Sequence, residues 1–387
     1  MLHYEIGIGE VMRKRFDGRE GQWRLENRFD GREIQWKLQS LKGPGRMEAI
    51  WKAIRQADAA EDYYYQMLFR YEYACEATFH DDPPKAMPVA VEFSRIFEEH
   101  LDVLGSDGKE MYLMIMQMAL DPVVSLPQIS VAQWEIMMEQ FHMLVKRFNL
   151  GHRVYWWQMC RFMIYLDKQK AFEYFQRFWK TGRDGLSDCR ACERCYAIRM
   201  YLAMGDEENA AVHAKPIKQR HIPFCGDTPH LMLLAYLEYY MDKGDLKSAI
   251  PYARELKRMG HRDRGDLSYI GAVLRCFAYS DPEQGVQLMR EAFPWIGGMW
   301  NQKMVYDFYK GAWTVLHQLS KREDSIKLEL PEQLSCYHSD GIYAVTELEQ
   351  WVYEQAGEIA ERFDKRNGTD SFRVDLGLAV KEPRIVM

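Results

Sequence analysis

Apolar and aromatic side chains recur every three or four residues over most of the chain beyond residue 46, which is the spacing of one face of an α-helix. Polar and turn-forming residues separate these stretches at short intervals. The pattern predicts long helices joined in pairs by short turns. The clearest stretches are Met47–Phe79, with a break near Ala59, and then Glu110–Leu120, Val131–Phe148, Trp300–Leu319 and Gly341–Phe363.

The stretch Leu237–Arg254 shows how one such pair is built. Tyr240 precedes a Gly244-Asp245 turn, and Ala249 follows it. Glycine can adopt the left-handed backbone that ends a helix, aspartate can cap the next helix, and alanine allows two helix backbones to approach closely. This combination is typical of tetratricopeptide repeats, in which consecutive helix pairs stack on one another.

The same turn recurs along the chain. Asp167, Asp206, Asp245 and Asp281 follow one another at steps of 39, 39 and 36 residues, and each has a small residue four positions later. The repeats predict a mainly α fold: a tetratricopeptide-like α-solenoid of six or seven helical hairpins over residues 46–366. Residues 367–387 are expected to form a weakly structured tail.

Residues 1–41 follow a different pattern. The segment Arg15–Asn27 is followed directly by a near-copy, Arg28–Ser40. Each copy contains an Asp-Gly dipeptide, which favours hairpin turns, and Ile34, Trp36 and Leu38 alternate with polar residues as in a half-buried strand. We expect a short β-meander that caps the solenoid or offers a sheet edge to a partner. The alternative is a poorly ordered extension.

Composition argues against several classes of function. The 387 residues carry a net charge of −6, which disfavours an electrostatic nucleic-acid or lipid surface. The longest apolar runs are too short to span a bilayer, and the first residues lack a signal-peptide pattern, so we expect a cytoplasmic protein that binds neither nucleic acid nor membrane. In that compartment the eight cysteines favour free thiols or a metal site over disulfides.

Four potential metal ligands lie one repeat apart. Cys189 and Cys192 begin one predicted hairpin, and Cys225 and His230 begin the next. Because a 39-residue step from Cys189 reaches position 228, stacking should bring the two pairs together. Such a set suits a closed, tetrahedral, structural zinc site without an open position for catalysis. Cys195 is excluded because its helical position is turned about 120° from that of Cys189. The alternatives are inert buried thiols and a redox pair.

These residues carry a resemblance to a known group. The chain resembles bacterial tetratricopeptide-repeat proteins that have a D-C-x-A-C segment, a repeat turn, a later Cys followed by Pro-His, and a similar C-terminal ending. The matching segments are Ser187–Cys192, Gly205–Ala210, Cys225, Pro229-His230 and Glu361–Asp370. The resemblance implies a bacterial cytosolic helical-repeat protein and supplies no catalytic residues. The doubled RFDGRE segment and Cys195 depart from the pattern of the group.

The sequence contains no phosphate-binding loop, no H-E-x-x-H and no G-x-S-x-G, so we expect no enzymatic activity. Tyrosines and methionines cluster on the predicted helices, and such side chains suit an adaptable apolar groove for a peptide. The alternative is that they fill the core between helices. The side chains predicted to contact a peptide on the concave surface are Tyr64, Met114, Met118, Tyr155 and Tyr236.

Three hypotheses of function follow. The first is a non-enzymatic scaffold or adaptor that binds a protein or peptide segment and has a structural zinc site between two repeats. The second is a regulatory sensor that changes its superhelical pitch on binding a signal peptide, as peptide-responsive tetratricopeptide regulators do. The third is an enzyme that uses the cysteine cluster for redox or metal chemistry. The sequence identifies neither the partner nor the oligomeric state.

Overall fold

The computed structural model describes residues 29–105, 107–223, 225–260 and 264–381. These residues are mainly helical, as predicted, with two short strands. Helices of the first half are α1 (Gly31–Ser40), α2 (Pro44–Ala59), α3 (Tyr63–His80), α4 (Ala86–Glu99), α5 (Asp107–Leu120), α6 (Val131–Phe148), α7 (His152–Met163) and α8 (Lys168–Lys180). The predicted break near Ala59 is confirmed as the end of α2.

The second half continues with more hairpins and ends in a longer helix. Its helices are α9 (Arg190–Ala203), α10 (Glu207–Lys218), α11 (His230–Asp242), α12 (Leu246–Met259), α13 (Leu267–Ser280), α14 (Pro282–Ala292), α15 (Gln302–Leu319), α16 (Val345–Asn367) and α17 (Ser371–Leu378). The strands β1 (Ser325–Lys327) and β2 (Ile342–Ala344) pair antiparallel, with Ile326 opposite Tyr343. Among the described residues, no helix combines the length and the apolar character that crossing a bilayer requires.

The repeated turns have the local structure that their residues predict. Asp206 accepts a hydrogen bond from the backbone N–H of Asn209 at 3.0 Å, and Asp245 caps α12 through Ser248 at the same distance. Gly244 has a φ of 72°, a left-handed conformation that favours glycine. Ala249 is fully buried, consistent with close packing of the second helix. These contacts connect residues three or four positions apart, which is why sequence alone could predict them.

The chain divides into two compact units. The first lies within Met1–Val124, Trp134–Met159 and Gln176–Ser187, and the second within Ser125–Gln133, Cys160–Phe175 and Asp188–Met387. In the first unit α3 packs against α2, α4 and α5. In the second, α9 packs against α10 and α11, α11 against α12 and α13, and α13 against α14 and α15. Thus α9, α11, α13 and α15, which we call the first helices, form a row in which each contacts the next.

The prediction of a β-meander is wrong for the described part of the second repeat copy, residues 29–40. Gly31–Ser40 is an α-helix, and the Asp30 side chain accepts a hydrogen bond from the Glu33 N–H at 3.0 Å. An aspartate followed three residues later by glutamate starts a helix, and this outweighs a short alternation of apolar and polar residues. Ile34 and Leu38 are four residues apart and share a helix face, whereas Trp36, which a strand would place on the same face, is exposed. The first copy lies outside the described residues.

The expected weakly structured tail also contains ordered structure. Ser371–Leu378 forms α17, and two of its apolar side chains, Phe372 and Leu376, are buried. The helix preceding it ends at Gly368, whose φ of 67° is left-handed. The two buried positions are four residues apart, a spacing that a short helix uses to pack one face. Residues 382–387 lie outside the described residues.

Candidate metal centre

Helix α9 begins at the cysteine cluster. Cys189 is its N-cap residue, and the Cys189 sulfur accepts a hydrogen bond from the Cys192 N–H at 3.3 Å. Cys192 lies in the first turn, where the unpaired N–H groups and the helix dipole favour a negatively charged sulfur. Cys225 comes from the segment that leads into α11, the helix beside α9. The cluster therefore joins two consecutive hairpins of the second unit.

The three sulfur atoms lie at distances suited to a shared ion. The Sγ atoms of Cys189 and Cys225 are 3.9 Å apart, and those of Cys192 and Cys225 are 3.2 Å apart. All three Sγ atoms lie within 4.8 Å of one another. In a tetrahedral zinc site with Zn–S bonds of about 2.3 Å, two sulfurs lie about 3.8 Å apart. All eight cysteines are free thiols, so no disulfide competes for these sulfurs.

The Cys189 and Cys192 sulfur atoms both lie within hydrogen-bonding distance of the Cys225 sulfur. Hydrogen bonds from Cys189 and Cys192 hold the pKa of Cys225 far below its ordinary value. The same kind of contact, with Cys189 and with Cys225, raises the pKa of Cys192 far above its ordinary value. A thiolate at Cys225 therefore makes a second thiolate at Cys192 unfavourable. A cation among the sulfurs would remove this repulsion and allow all three to ionise.

The predicted fourth ligand, His230, is not part of this group. Its ring packs against Tyr269, with centroids 5.5 Å apart. Among the described residues, the group whose ligand atoms are close enough to hold one ion consists of the three cysteines. His230 nevertheless begins α11, and a positive charge on its ring would lower the pKa of Asp227, two residues from Cys225. Desolvation raises the pKa of Asp227, and the Cys225 thiolate raises it further. Sequence spacing placed His230 at the correct helix tip but could not give its side-chain direction.

Two neighbours surround the cluster without completing it. Cys195 is buried, and burial raises its pKa to about 12, so it remains a thiol. It is absent from the group of close ligand atoms, consistent with its exclusion on helical geometry. Thr228 is also buried, and its hydroxyl lies 3.8 Å from the Cys192 sulfur. No motif in the sequence indicates Thr228, although position 228 is where the 39-residue step from Cys189 falls.

Three of the five side chains predicted to contact a peptide are buried. Met118, Tyr155 and Tyr236 are buried at 5%, 9% and 4% exposure, so they fill the core and are not available as surface anchors. Tyr155 stacks on His142, and Tyr236 stacks on Tyr252. Apolar periodicity cannot separate a groove from a core, because both require the same side chains on one helix face.

The other two predicted contacts remain partly exposed. Tyr64 packs edge-on against Tyr65, with ring centroids 5.0 Å apart. The Met114 sulfur accepts a hydrogen bond from the Tyr71 hydroxyl at 3.3 Å. Both lie in the first unit, on α3 and α5.

No family model matches this chain, and neither the curated proteins nor the solved structures contain a match to it.

Proposed function

We propose that this protein is a non-enzymatic helical-repeat scaffold that binds a peptide or protein segment, and that a structural zinc ion joins two of its hairpins. The observation that carries the zinc site is the group of three sulfurs from Cys189, Cys192 and Cys225. Soft thiolates at this spacing are typical ligands of zinc. The row of first helices supports the scaffold, because each helix adds residues to one continuous face.

In this proposal the metal stabilises the junction between hairpins. Two sulfurs belong to the start of α9, and the third precedes α11. A metal that binds only the folded arrangement adds its binding free energy to folding. His230 completes the ligand set by turning its ring from Tyr269 towards the sulfurs. Four protein ligands would leave no coordination position open for a substrate.

The first prediction concerns metal content. Protein purified without chelator is expected to contain one zinc per chain by elemental analysis. Cys192→Ser and Cys225→Ser should each lose the zinc and melt at a lower temperature. Cys336→Ser removes a thiol of the same unit that lies outside the group and is the matched control. It should keep both zinc and melting temperature.

His230→Ala tests the fourth ligand separately. Zinc affinity is expected to fall by more than tenfold, while the three thiolates still bind some metal. Unchanged affinity would assign the fourth position to water or another group. Absence of zinc from the unaltered protein, together with no increase in its melting temperature when zinc is added, would contradict the structural metal site.

A second candidate function is thiol redox chemistry, because the sulfurs of Cys192 and Cys225 are only 3.2 Å apart. Oxidation would join them at about 2.05 Å, with loss of two protons and two electrons to an oxidant such as a small disulfide. Zinc-free protein that forms this disulfide reversibly, with no effect of zinc on melting, would favour the redox function. Protection of both thiols by zinc from alkylation would favour the scaffold.

A further inference from the structure

Charged side chains recur on the first helices. Glu238 on α11 lies 39 residues after Arg199 on α9, and Arg275 on α13 follows 37 residues later. These helices contact one another in sequence, and Glu238 interacts electrostatically with both Arg199 and Arg275, so the three side chains lie near one another. Helix α15 adds Lys303 and Lys310. We call this set the charged row.

Most members of the charged row are neutralised by a direct partner. Both terminal nitrogens of Arg275 donate to one carboxylate oxygen of Asp242 at 3.2 Å. Lys303 donates to Asp307 at 2.5 Å, and the other oxygen of Asp307 accepts from Ser268 at 2.9 Å. These contacts explain why the helices tolerate charged groups on a largely buried face.

Arg199 and Glu238 are the exceptions. Arg199 donates one hydrogen bond, at 3.1 Å, to the phenolic oxygen of Tyr165, and its side chain is exposed. Within the described residues Glu238 makes no direct hydrogen bond or salt bridge, although the charges of Lys303 and Arg199 act on it from a longer distance. The Glu238 side chain is half-buried, and desolvation raises the pKa of its carboxyl group.

The protein already shows how this face holds an acidic residue on a docked segment. Asp375 of α17 accepts hydrogen bonds from the Lys310 ammonium at 2.7 Å and from the Tyr306 hydroxyl at 2.7 Å. Arg199 and Tyr165 offer the same chemistry, a cation and a phenol in contact with each other. Burial would raise the pKa of Tyr165, but Arg199 and then Lys303 lower it, so its hydroxyl is a strong donor.

We propose that Arg199, Tyr165 and Glu238 form a binding subsite for a peptide segment that carries an acidic and a basic side chain close together. The peptide's carboxylate would accept from the Arg199 guanidinium and the Tyr165 hydroxyl, and its ammonium or guanidinium would pair with Glu238. This inference rests on the proposed peptide-binding function and adds the chemical class of the peptide. Glu238 would repel a polyanion and favours a segment that also carries a positive charge.

The test is a display selection of random short peptides on the immobilised, zinc-loaded full chain. Recovered peptides are expected to be enriched in neighbouring acidic and basic residues. For one such peptide, Arg199→Gln and Glu238→Gln should each weaken binding by about tenfold to a hundredfold. Lys215→Gln and Glu208→Gln remove exposed charges from α10 and are the matched controls. They should leave binding unchanged.

A charge-exchanged variant separates specific pairing from general attraction. Arg199→Glu combined with Glu238→Arg should lose the first peptide and bind one in which the acidic and basic positions are interchanged. Recovery of peptides whose binding ignores both substitutions would overturn the subsite but leave the scaffold intact. Recovery of no peptide would overturn both. Zinc content and melting temperature of each variant show whether it is folded.

Discussion

Glu72 illustrates what burial does to a single charged residue. Its Oε1 atom accepts a hydrogen bond from the Gln35 side chain at 3.3 Å, whereas its buried Oε2 atom has no hydrogen-bond partner among the described residues. Desolvation raises the pKa of Glu72 from 4.5 to about 7, although Arg46 opposes the shift. The folded first unit therefore retains a proton that the unfolded chain releases at lower pH.

The sign of the pH dependence follows. Below pH 4.5 Glu72 is protonated in both the folded and the unfolded state, so it does not change the stability of the protein. Between pH 4.5 and about 7 the folded state binds more protons than the unfolded state, so stability falls as pH rises. In the unaltered protein the free energy of unfolding should fall by on the order of 2 kcal/mol between about pH 5 and pH 8. Glu72→Gln should abolish this fall. Denaturant unfolding at both pH values measures this change in the free energy of unfolding.

Glu48→Gln is the matched control for Glu72, because Glu48 is exposed on α2. It should leave the pH dependence as it is in the unaltered protein. The same pH dependence in Glu72→Gln as in the unaltered protein would contradict a buried carboxyl group with a raised pKa.

At the scale of elements, α13 and α15 approach until their backbones touch. A Cβ atom on Gly271 would lie 2.2 Å from the carbonyl oxygen of Asp307, and one on Gly311 would lie 2.3 Å from the carbonyl oxygen of Gly271. Backbone atoms cannot move aside as a flexible side chain can. Glycine at both positions is therefore required by the crossing of these helices and not by their own conformation.

Gly271→Ala and Gly311→Ala are each expected to destabilise the second unit by about 3 kcal/mol or more, because the helices must separate to accept the methyl group. Gly357→Ala on α16 meets no atom within 4 Å and is the matched control. Since alanine favours helix more than glycine does, it should stabilise by up to about 1 kcal/mol. Equal effects at all three positions, measured by thermal unfolding, would contradict the close crossing.

At the scale of the whole molecule, the C-terminal helix of the second unit closes a core assembled from distant segments. Phe372 stacks on Phe363 with centroids 4.6 Å apart, and it contacts Tyr306 and Tyr165 at 5.2 Å and 5.7 Å. The Tyr306 hydroxyl also donates to the Phe372 carbonyl oxygen at 2.8 Å. Residues more than two hundred positions apart are thereby held in one aromatic cluster.

Phe372→Ala should lower the free energy of unfolding by about 3–5 kcal/mol, the range for removing a buried phenylalanine. Hydrogen exchange should show reduced protection of α15, which this cluster covers. Val374→Ala changes an exposed residue of the same helix and should alter neither quantity by much. Unchanged protection of α15 in Phe372→Ala would show that α17 does not stabilise it.

The sequence by itself determined the helices between residues 46 and 366 and the aspartate caps of the turns, and it predicted the meeting of Cys189 and Cys192 with Cys225. The helices and caps depend on contacts between residues three or four apart, and the 39-residue step from Asp206 to Asp245 predicts the meeting. Tertiary structure decided the direction of His230 and the burial of Tyr236, because each depends on side chains contributed by other helices. It also decided the approach of Gly271 to Gly311. The two backbones belong to helices that α14 separates in the chain, and no local pattern records the distance between them.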